Sequence, residues 1–427
     1  MELIILATAA LGLYMAWTIG ANDFANSMGD AVGSGAITIR QAVVLGAICE
    51  LAGSILVGAH VTDTVRKGIV SPEHLQAVPE LLALGMICAL LASALWLHIA
   101  TWWGMPVSTT HSIVGAVAGF GVVAAGWSSV EWGKMGEIVA SWVISPIAGG
   151  VLAYTVFKLI SHLILGRERP LEAAVRFAPA AVFAVVAVVT SSILFRGLDH
   201  LLKRHDIVIS DPAAVLITCG VGLVCAVVSR LLISRYLRGN EHLPLTEQLR
   251  LVERVFTPMV ALTSCSVAFA HGANDVANAI GPVAAIIDIL RTGSVQMKVF
   301  VPLWILLLGG FGIILGLSTY GYKVLRTIGT RITQLTPSRG VAADLATVTT
   351  VLVCTRMKLP VSTTHTIVGA IIGIGFARGL GAINGKVTRD IFNSWFVTVP
   401  ASALMTIGLF LAGRGLHLDA VIRNAFP

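Results

Sequence analysis

Two short polar stretches lie inside long apolar surroundings, and each occurs twice. Gly20-Ala21-Asn22-Asp23-Phe24-Ala25-Asn26 returns about 252 residues later as Gly272-Ala273-Asn274-Asp275-Val276-Ala277-Asn278. A carboxylate deep in an apolar segment costs at least ~2.5–3.5 kcal/mol and persists chiefly where it faces a partner or a watery cavity. In a helix, Asn26 lies three residues after Asp23, as Asn278 does after Asp275. Carboxylate and amide oxygens then share one face and offer several hard ligands to a small cation. The plainer reading is a polar network that holds helices together; duplication of the whole set favours the ion site. Gly20 and Gly272 would let the helix unwind just ahead of it, where transporters place ion sites.

The second pair is Met105-Pro106-Val107-Ser108-Thr109-Thr110-His111-Ser112 and, about 254 residues on, Leu359-Pro360-Val361-Ser362-Thr363-Thr364-His365-Thr366. Pro106 and Pro360 suit the start of a helix. Ser108, Thr109 and Thr110, like Ser362, Thr363 and Thr364, would then sit in a first turn beside unpaired backbone N–H groups. Such an end, with its partial positive charge, can hold a tetrahedral oxyanion without a fixed Lys or Arg. Simple capping and packing is the alternative for one copy; two copies facing each other favour a shared site. His111 and His365 are either proton relays or neutral packing residues.

Two buried carboxylates would repel an anion unless cations intervene, so a transported Na⁺ or H⁺ is expected as coupling ion. Asn22 and Asn274 are further candidates for coupling or gating, with Glu50 inside Ala47-Ile48-Cys49-Glu50-Leu51-Ala52 and Asp344 at the head of another apolar run. For Glu50 and Asp344, a hydrogen bond to a neighbouring helix is the plainer role.

The elements that must position these groups follow from composition. The 427 residues are 56% hydrophobic and only 12% charged, against about 25% charged in a soluble domain. This excludes disordered, collagen-like and disulfide-scaffold classes. The net charge of +7 resides mostly between apolar segments. Arg66-Lys67, Lys323, Arg326 and Arg331 therefore suit headgroups and topology, and nucleic-acid binding is not expected. Trp102, Trp103 and Trp127 suit interfacial belts. The six cysteines lie singly in apolar runs without a CxxC and read as packing residues. Met1-Glu2 lacks a basic leader, so the first apolar run reads as a retained membrane segment.

Apolar segments lie near 3–28, 42–60, 81–101, 107–126, 137–162, 173–196, 213–234, 255–290, 299–322, 341–357, 361–380 and 391–412, about 12 in all. Their length without strict alternation makes the fold class an all-α polytopic membrane protein. The charged stretch 235–254 reads as the principal linker. The chain divides into a first repeat over 1–162, connecting segments and linker over 163–254, and a second repeat over 255–427. Seven apolar segments separate equivalent points, or five if the pair meeting at Pro106 is a re-entrant hairpin. Either number is odd, so the second copy is inverted, as in many secondary transporters. A Lys/Arg bias of roughly 15 against 12 between alternate loops places both termini outside and 163–172, 235–254 and 323–340 in the cytoplasm.

No Walker A, GxSxG, HExxH or GxGxxG context is present, so no ATP hydrolysis, other enzymatic step or cofactor is expected. A Ser108–His111–Asp23 hydrolase would gain nothing from an inverted duplicate, whereas alternating access would. Paired carboxylates favour stoichiometric coupling over a channel.

The duplicated GANDxAN and PVSTTH elements resemble those of the inorganic phosphate transporter family over essentially the whole chain. The resemblance implies a Na⁺- or H⁺-coupled symporter of inorganic phosphate with helical hairpins, inverted repeats and, often, a homodimer in the bilayer. It implies a cation motif at Asp23, Asn26, Asp275 and Asn278, and a phosphate motif at Ser108, Thr109, Thr110, Ser362, Thr363 and Thr364. Glu50 matches a functional glutamate of the family. Asp344 stands where relatives often carry Glu, and Met86 where some carry another. Some bacterial relatives move sulfate, the alternative substrate, and others a metal–phosphate complex with H⁺. Without organelle signals, the expected location is the bacterial or archaeal inner membrane.

Overall fold

The computed structural model describes residues 1–67, 69–70, 75–194, 210–296, 299, 301–356 and 361–426, with the side chains of 59–67, 355–356 and 380 not described. Among the described residues the helices are α1 (Glu2–Gly33), α2 (Ile39–Lys67), α3 (Pro79–Trp102), α4 (Thr109–Ala125), α5 (Trp132–Ile160), α6 (Pro170–Ser192) and α7 (Asp211–Leu237). They continue as α8 (Leu245–Thr292), α9 (Leu303–Thr319), α10 (Tyr322–Arg326), α11 (Pro337–Arg356), α12 (Thr363–Arg378), α13 (Gly385–Gly415) and α14 (Leu418–Arg423). The only β-contact among the described residues is an isolated bridge between Val70 and Val130.

Eight helices are long and apolar enough to cross a membrane; α9 and the following 322–331 segment, bent by 53°, give a ninth if taken as one span. The expected count of about 12 apolar segments is therefore not confirmed as crossings among the described residues. The difference lies in the hairpin helices. At about 1.5 Å per residue, α4 with 17 residues and α12 with 16 are shorter than the ~30 Å hydrocarbon layer. The helix α11 carries Ser338, Arg339, Asp344, Thr347 and Thr350 along its length. Short or polar helices of this kind are stable at membrane depth only when other helices enclose them. The helix α8 begins at Leu245, so the charged half of the expected linker, with Glu247, Arg250, Glu253 and Arg254, is helical.

Packing follows the sequence repeat. The helix α1 packs on α9 as α8 packs on α2, and α4 packs on α13 as α12 packs on α5. The same glycines make both sets of crossings. A side chain at Gly20 would strike the backbone of Ile313 on α9, and one at Gly272 the backbone of Glu50 on α2. Gly115 and Gly119 on α4 meet Val399 and Ala403 on α13, while Gly369 and Gly373 on α12 meet Pro146 and Gly150 on α5. Membrane helices associate through close backbone contact, since lipid tails are as apolar as leucine. Gly20 and Gly272 therefore serve proximity. Both α1 and α8 stay helical through the Asn-Asp motifs, contrary to the expected unwinding.

The molecule turns its apolar side chains outward as well as inward. Leu216, Leu223, Val224 and Leu231 on α7 are exposed and meet hydrocarbon, while Trp102, Trp103 and Trp127 are also exposed, as membrane-belt residues are. The interior polar residues concentrate where α1, α8 and the two hairpins meet.

The crossing geometry is testable with one substitution and its control. Gly373→Ala places a methyl against the Gly150 backbone and should destabilise the purified protein by ~1–3 kcal/mol. Gly408→Ala, on the open face of α13, should be neutral or slightly stabilising. Equal thermal unfolding temperatures for the two variants in detergent would contradict the assigned crossing.

Candidate functional site

The centre of the bundle is an imidazole surrounded by carboxyl groups. His271, on α8 one residue ahead of the second Gly-Ala-Asn-Asp motif, places Nε2 3.4 Å from Asp23 Oδ2 and 3.2 Å from Asp275 Oδ2. Its Nδ1 lies 3.2 Å from Glu50 Oε1, which also accepts from Ser27 Oγ at 3.3 Å. Ligand atoms of Asp23, His271 and Asp275 all fall within 4.8 Å of one another. Asp23 and Glu50 are fully buried, and His271 and Asp275 nearly so. The two aspartates that the sequence separates by half its length thus share one nitrogen.

The asparagines divide into two roles. Asn26 Nδ2 donates to Asp23 Oδ1 and to Thr364 Oγ1, both at 2.8 Å. Its Oδ1 is buried without a hydrogen-bond partner among the described residues, leaving an amide oxygen beside a carboxylate for a cation to take. Asn278 Nδ2 reaches Asp275 Oδ1 at 3.4 Å, Thr110 Oγ1 at 3.1 Å and Thr109 Oγ1 at 3.5 Å. Asn22 turns the other way. Its Nδ2 donates to Thr101 Oγ1 and to the Met105 carbonyl, and its Oδ1 accepts from Val107 N–H. It clamps the turn of the α3–α4 hairpin and belongs to positioning. Asn274 is half-buried; the segment that would mirror this turn includes residues 357–360, outside the described ones.

Each hairpin tip reaches the other repeat's carboxylate. The helix α4 starts at Thr109, and Ser108 Oγ caps it by accepting from His111 N–H at 3.3 Å; Ser362 caps α12 through His365 N–H at the same distance. Pro106 therefore precedes the cap by two residues and does not occupy the first turn, while Pro360 lies outside the described residues. Thr110 Oγ1 donates to Asp275 Oδ1 at 3.4 Å, and Thr364 Oγ1 to Asp23 Oδ1 at 3.5 Å. Thr364 Oγ1 also comes within 3.5 Å of the Val107 carbonyl, so the two tips touch. Ser108 and Ser362 spend their lone pairs on capping but keep a hydroxyl proton to donate. Thr109 and Thr363 stand at the first helical positions, beside the free backbone N–H groups.

His111 and His365 lie behind the tips in an aromatic box. Their ring centroids are 4.8 Å apart; Trp142 Nε1 donates to His111 Nε2 at 3.1 Å, and Trp395 stacks on His365 at 3.7 Å. Trp395 Nε1 also donates to the Pro106 carbonyl, tying both tips to α13. Of the two readings open to these histidines, the packing one describes their contacts.

Asp344 stands apart from the central cluster. It accepts from Thr263 Oγ1 at 2.8 Å and Ser264 Oγ at 2.7 Å on α8, and its carboxyl faces that of Asp30. Neither Asp30 oxygen meets a hydrogen-bond partner other than the Asp344 carboxyl among the described residues. Sequence reading passed over Asp30, which lies outside both repeated motifs. It also passed over His271, although one signal was present: the first copy has Ile19 where the second has His271, an ionisable residue in place of an apolar one immediately ahead of the repeated motif.

A polytopic helical bundle in which the N-termini of two short helices, α4 and α12, meet a central, duplicated set of carboxyl, amide and hydroxyl groups is the architecture of a membrane transporter. The model of the phosphate transporter family matches residues 19–406, and the chain belongs to that family. It is 45% identical over 410 residues to a chain of Pyrococcus furiosus named as a candidate phosphate permease, covering 96% of each. It is 41% identical over 434 residues to the chloroplastic inorganic phosphate transporter 2-1 of Arabidopsis thaliana, covering 95% of this chain and 71% of that one. A solved structure titled the sodium-dependent phosphate transporter superimposes with a TM-score of 0.84 at 42% identity, covering 96% of this chain and 99% of the other.

The clamp on the first hairpin makes a direct prediction. Asn22→Leu strands the Val107 N–H and the Met105 carbonyl in the interior. Each unmade buried bond costs ~1–3 kcal/mol. The expected outcome is a lower unfolding temperature together with weaker binding of phosphate; an unchanged unfolding temperature would show that Asn22 does not hold the turn.

Proposed function

We propose that the chain is a secondary symporter that carries inorganic phosphate across the cytoplasmic membrane together with Na⁺. The reading rests on one observation: each hairpin's second threonine bonds the carboxylate of the opposite repeat, Thr110 with Asp275 and Thr364 with Asp23. Cation ligands and anion donors are thus built into the same contacts. A cation held by Asp23, the Asn26 amide oxygen and Thr364, and its counterpart at Asp275, Asn278 and Thr110, offsets the carboxylate charge that would otherwise repel phosphate. The paired N-termini of α4 and α12 then present their backbone N–H groups, with Ser108, Thr109, Ser362 and Thr363 hydroxyls, to the phosphate oxygens. Without a fixed Lys or Arg there, the anion is bound only while the cations are, which is the condition for symport. Likeness to a transporter described as sodium-dependent supports Na⁺ over H⁺.

His271 bridges Asp23 and Asp275 and keeps the two half-sites in register. Glu50, on α2, fixes the other ring nitrogen. With the α3–α4 hairpin turning back inside the membrane, five crossings (α1, α2, α5, α6 and α7) separate the two copies. That odd number supports inverted repeats over 1–162 and 255–427, joined by 163–254. Alternating access then amounts to moving the hairpins and their bound ions relative to the rest of the bundle. The reading includes no covalent step and no resident cofactor, and by family resemblance a homodimer.

Uptake of labelled phosphate into proteoliposomes, with Na⁺ and H⁺ gradients imposed separately and sulfate as competitor, tests the reading. Na⁺-driven uptake indifferent to sulfate is expected; uptake driven by H⁺ alone would replace the coupling ion, and sulfate uptake would replace the substrate. Asp275→Asn should abolish uptake while leaving membrane expression intact. Thr363→Val should raise the KM for phosphate by about tenfold, the equivalent of one lost hydrogen bond to a charged group at roughly 1.5 kcal/mol. Thermal stability should be unchanged, because Thr363 is half-buried and only its hydroxyl is lost.

A further inference from the structure

The open end of the α11–α12 hairpin carries two arginines, neither of which forms an ion pair with a carboxylate among the described residues; Glu253 acts on Arg339 only through its charge. Arg339 NH1 and Arg378 NH1 donate to the same backbone carbonyl, that of Gln334, at 3.1 and 3.2 Å. Arg378 NH1 also donates to Thr333 Oγ1 at 2.9 Å, and Thr333 is in turn fixed to the Ala382 carbonyl at 2.9 Å. Arg339 lies over the Phe157 ring, 5.7 Å from its centroid, and its Nε is buried without a hydrogen-bond partner among the described residues. Glu253 could have paired with Arg339, but its two oxygens accept from Ser338 N–H and Oγ at the start of α11. Two guanidinium groups are therefore held close together by one oxygen, against their mutual repulsion, with most of their N–H donors unpaired among the described residues.

A pair of rigidly held guanidinium forks is the arrangement that binds a phosphoryl group, whose oxygens match them in spacing and charge. Depth supports this assignment. Along α12, Arg378 is about 23 Å from Thr363 at ~1.5 Å per residue, whereas half the hydrocarbon layer is about 15 Å. With Thr363 near mid-membrane, both arginines stand at the level of lipid headgroups and interfacial water. We propose that Arg339 and Arg378 form a second oxyanion site, distinct from the central one, that binds a phosphoryl group at the base of the α11–α12 hairpin. The group comes either from an anionic phospholipid or from free phosphate near the aqueous entrance. In both cases the ligand joins the two helices of one hairpin and restrains its movement.

The test uses the full-length protein and the double variant Arg339→Gln/Arg378→Gln, with Arg378→Gln alone as the variant that leaves Arg339 on Phe157. Native mass spectrometry after incubation with mixed phosphatidylcholine and phosphatidylglycerol reads lipid retention, independently of any transport. Phosphate uptake is then compared in vesicles of phosphatidylcholine alone and with phosphatidylglycerol. The expected result is retained phosphatidylglycerol and several-fold faster uptake in the anionic vesicles for the wild type, both reduced in the variants, which identifies a lipid headgroup. A KM for phosphate raised severalfold by the variants in both vesicle types, with no retained phosphatidylglycerol in the wild type, identifies free phosphate. Folded variants that match the wild type in lipid retention, in response to phosphatidylglycerol and in KM would overturn the proposal. Should the protein transport no phosphate at all, lipid retention still decides whether the headgroup site exists.

Discussion

Carboxyl groups buried in a hydrocarbon-embedded bundle constrain everything else in this structure. Asp23, Glu50 and Asp275 could not remain at that depth unless other polar groups met them there. Those groups come from far away in the chain: His271 from α8, Thr110 and Thr364 from the two hairpin tips, Asn26 and Asn278 from one turn along. Because each aspartate draws its hydroxyl partner from the opposite repeat, neither half is complete alone. Satisfying the charge is therefore also what locks the two repeats together.

Close backbone packing makes that convergence geometrically feasible. Gly20 against Ile313 and Gly272 against Glu50 bring α1 and α8 close to their partners, while Gly115, Gly119, Gly369 and Gly373 seat the hairpin helices on α13 and α5. Larger side chains at those places would hold the helices apart by the width of a methyl group or more, and hydroxyl and carboxylate would no longer meet. The aromatic box of Trp142, His111, His365 and Trp395 closes the space behind the tips, so that they are backed by rigid rings on the side away from the carboxylates.

The two-fold correspondence is broken where function is most concentrated. One imidazole, contributed by the second copy alone, serves both aspartates, and Ile19 fills the matching place in the first. The second carboxyl pair, Asp30 and Asp344, shows the same economy of donors: Thr263 and Ser264 serve one partner only. A carboxyl that faces another without a donor needs a proton or a cation between them.

The sequence by itself determined the class of protein, the duplication and the chemical character of the site. Segment length and composition are one-dimensional properties, and a repeated Asn-Asp-x-x-Asn or Pro-Val-Ser-Thr-Thr-His is legible without coordinates because its spacing is local. What the sequence could not decide was which groups meet across about 250 residues. Asn22 reads like Asn26 in the motif, yet one clamps a hairpin and the other serves the carboxylate, because helix rotation turns them to different neighbours. The glycines read as points of unwinding and prove to be points of contact, since only the passing helix makes the absence of a side chain necessary. The count of about 12 apolar segments does not translate into as many crossings among the described residues, because hydropathy does not distinguish a helix that spans lipid from a shorter one enclosed by protein. Only the tertiary structure placed His271 between two distant aspartates, for the contact depends on how α1 and α8 cross, and that is set by packing rather than by either segment alone.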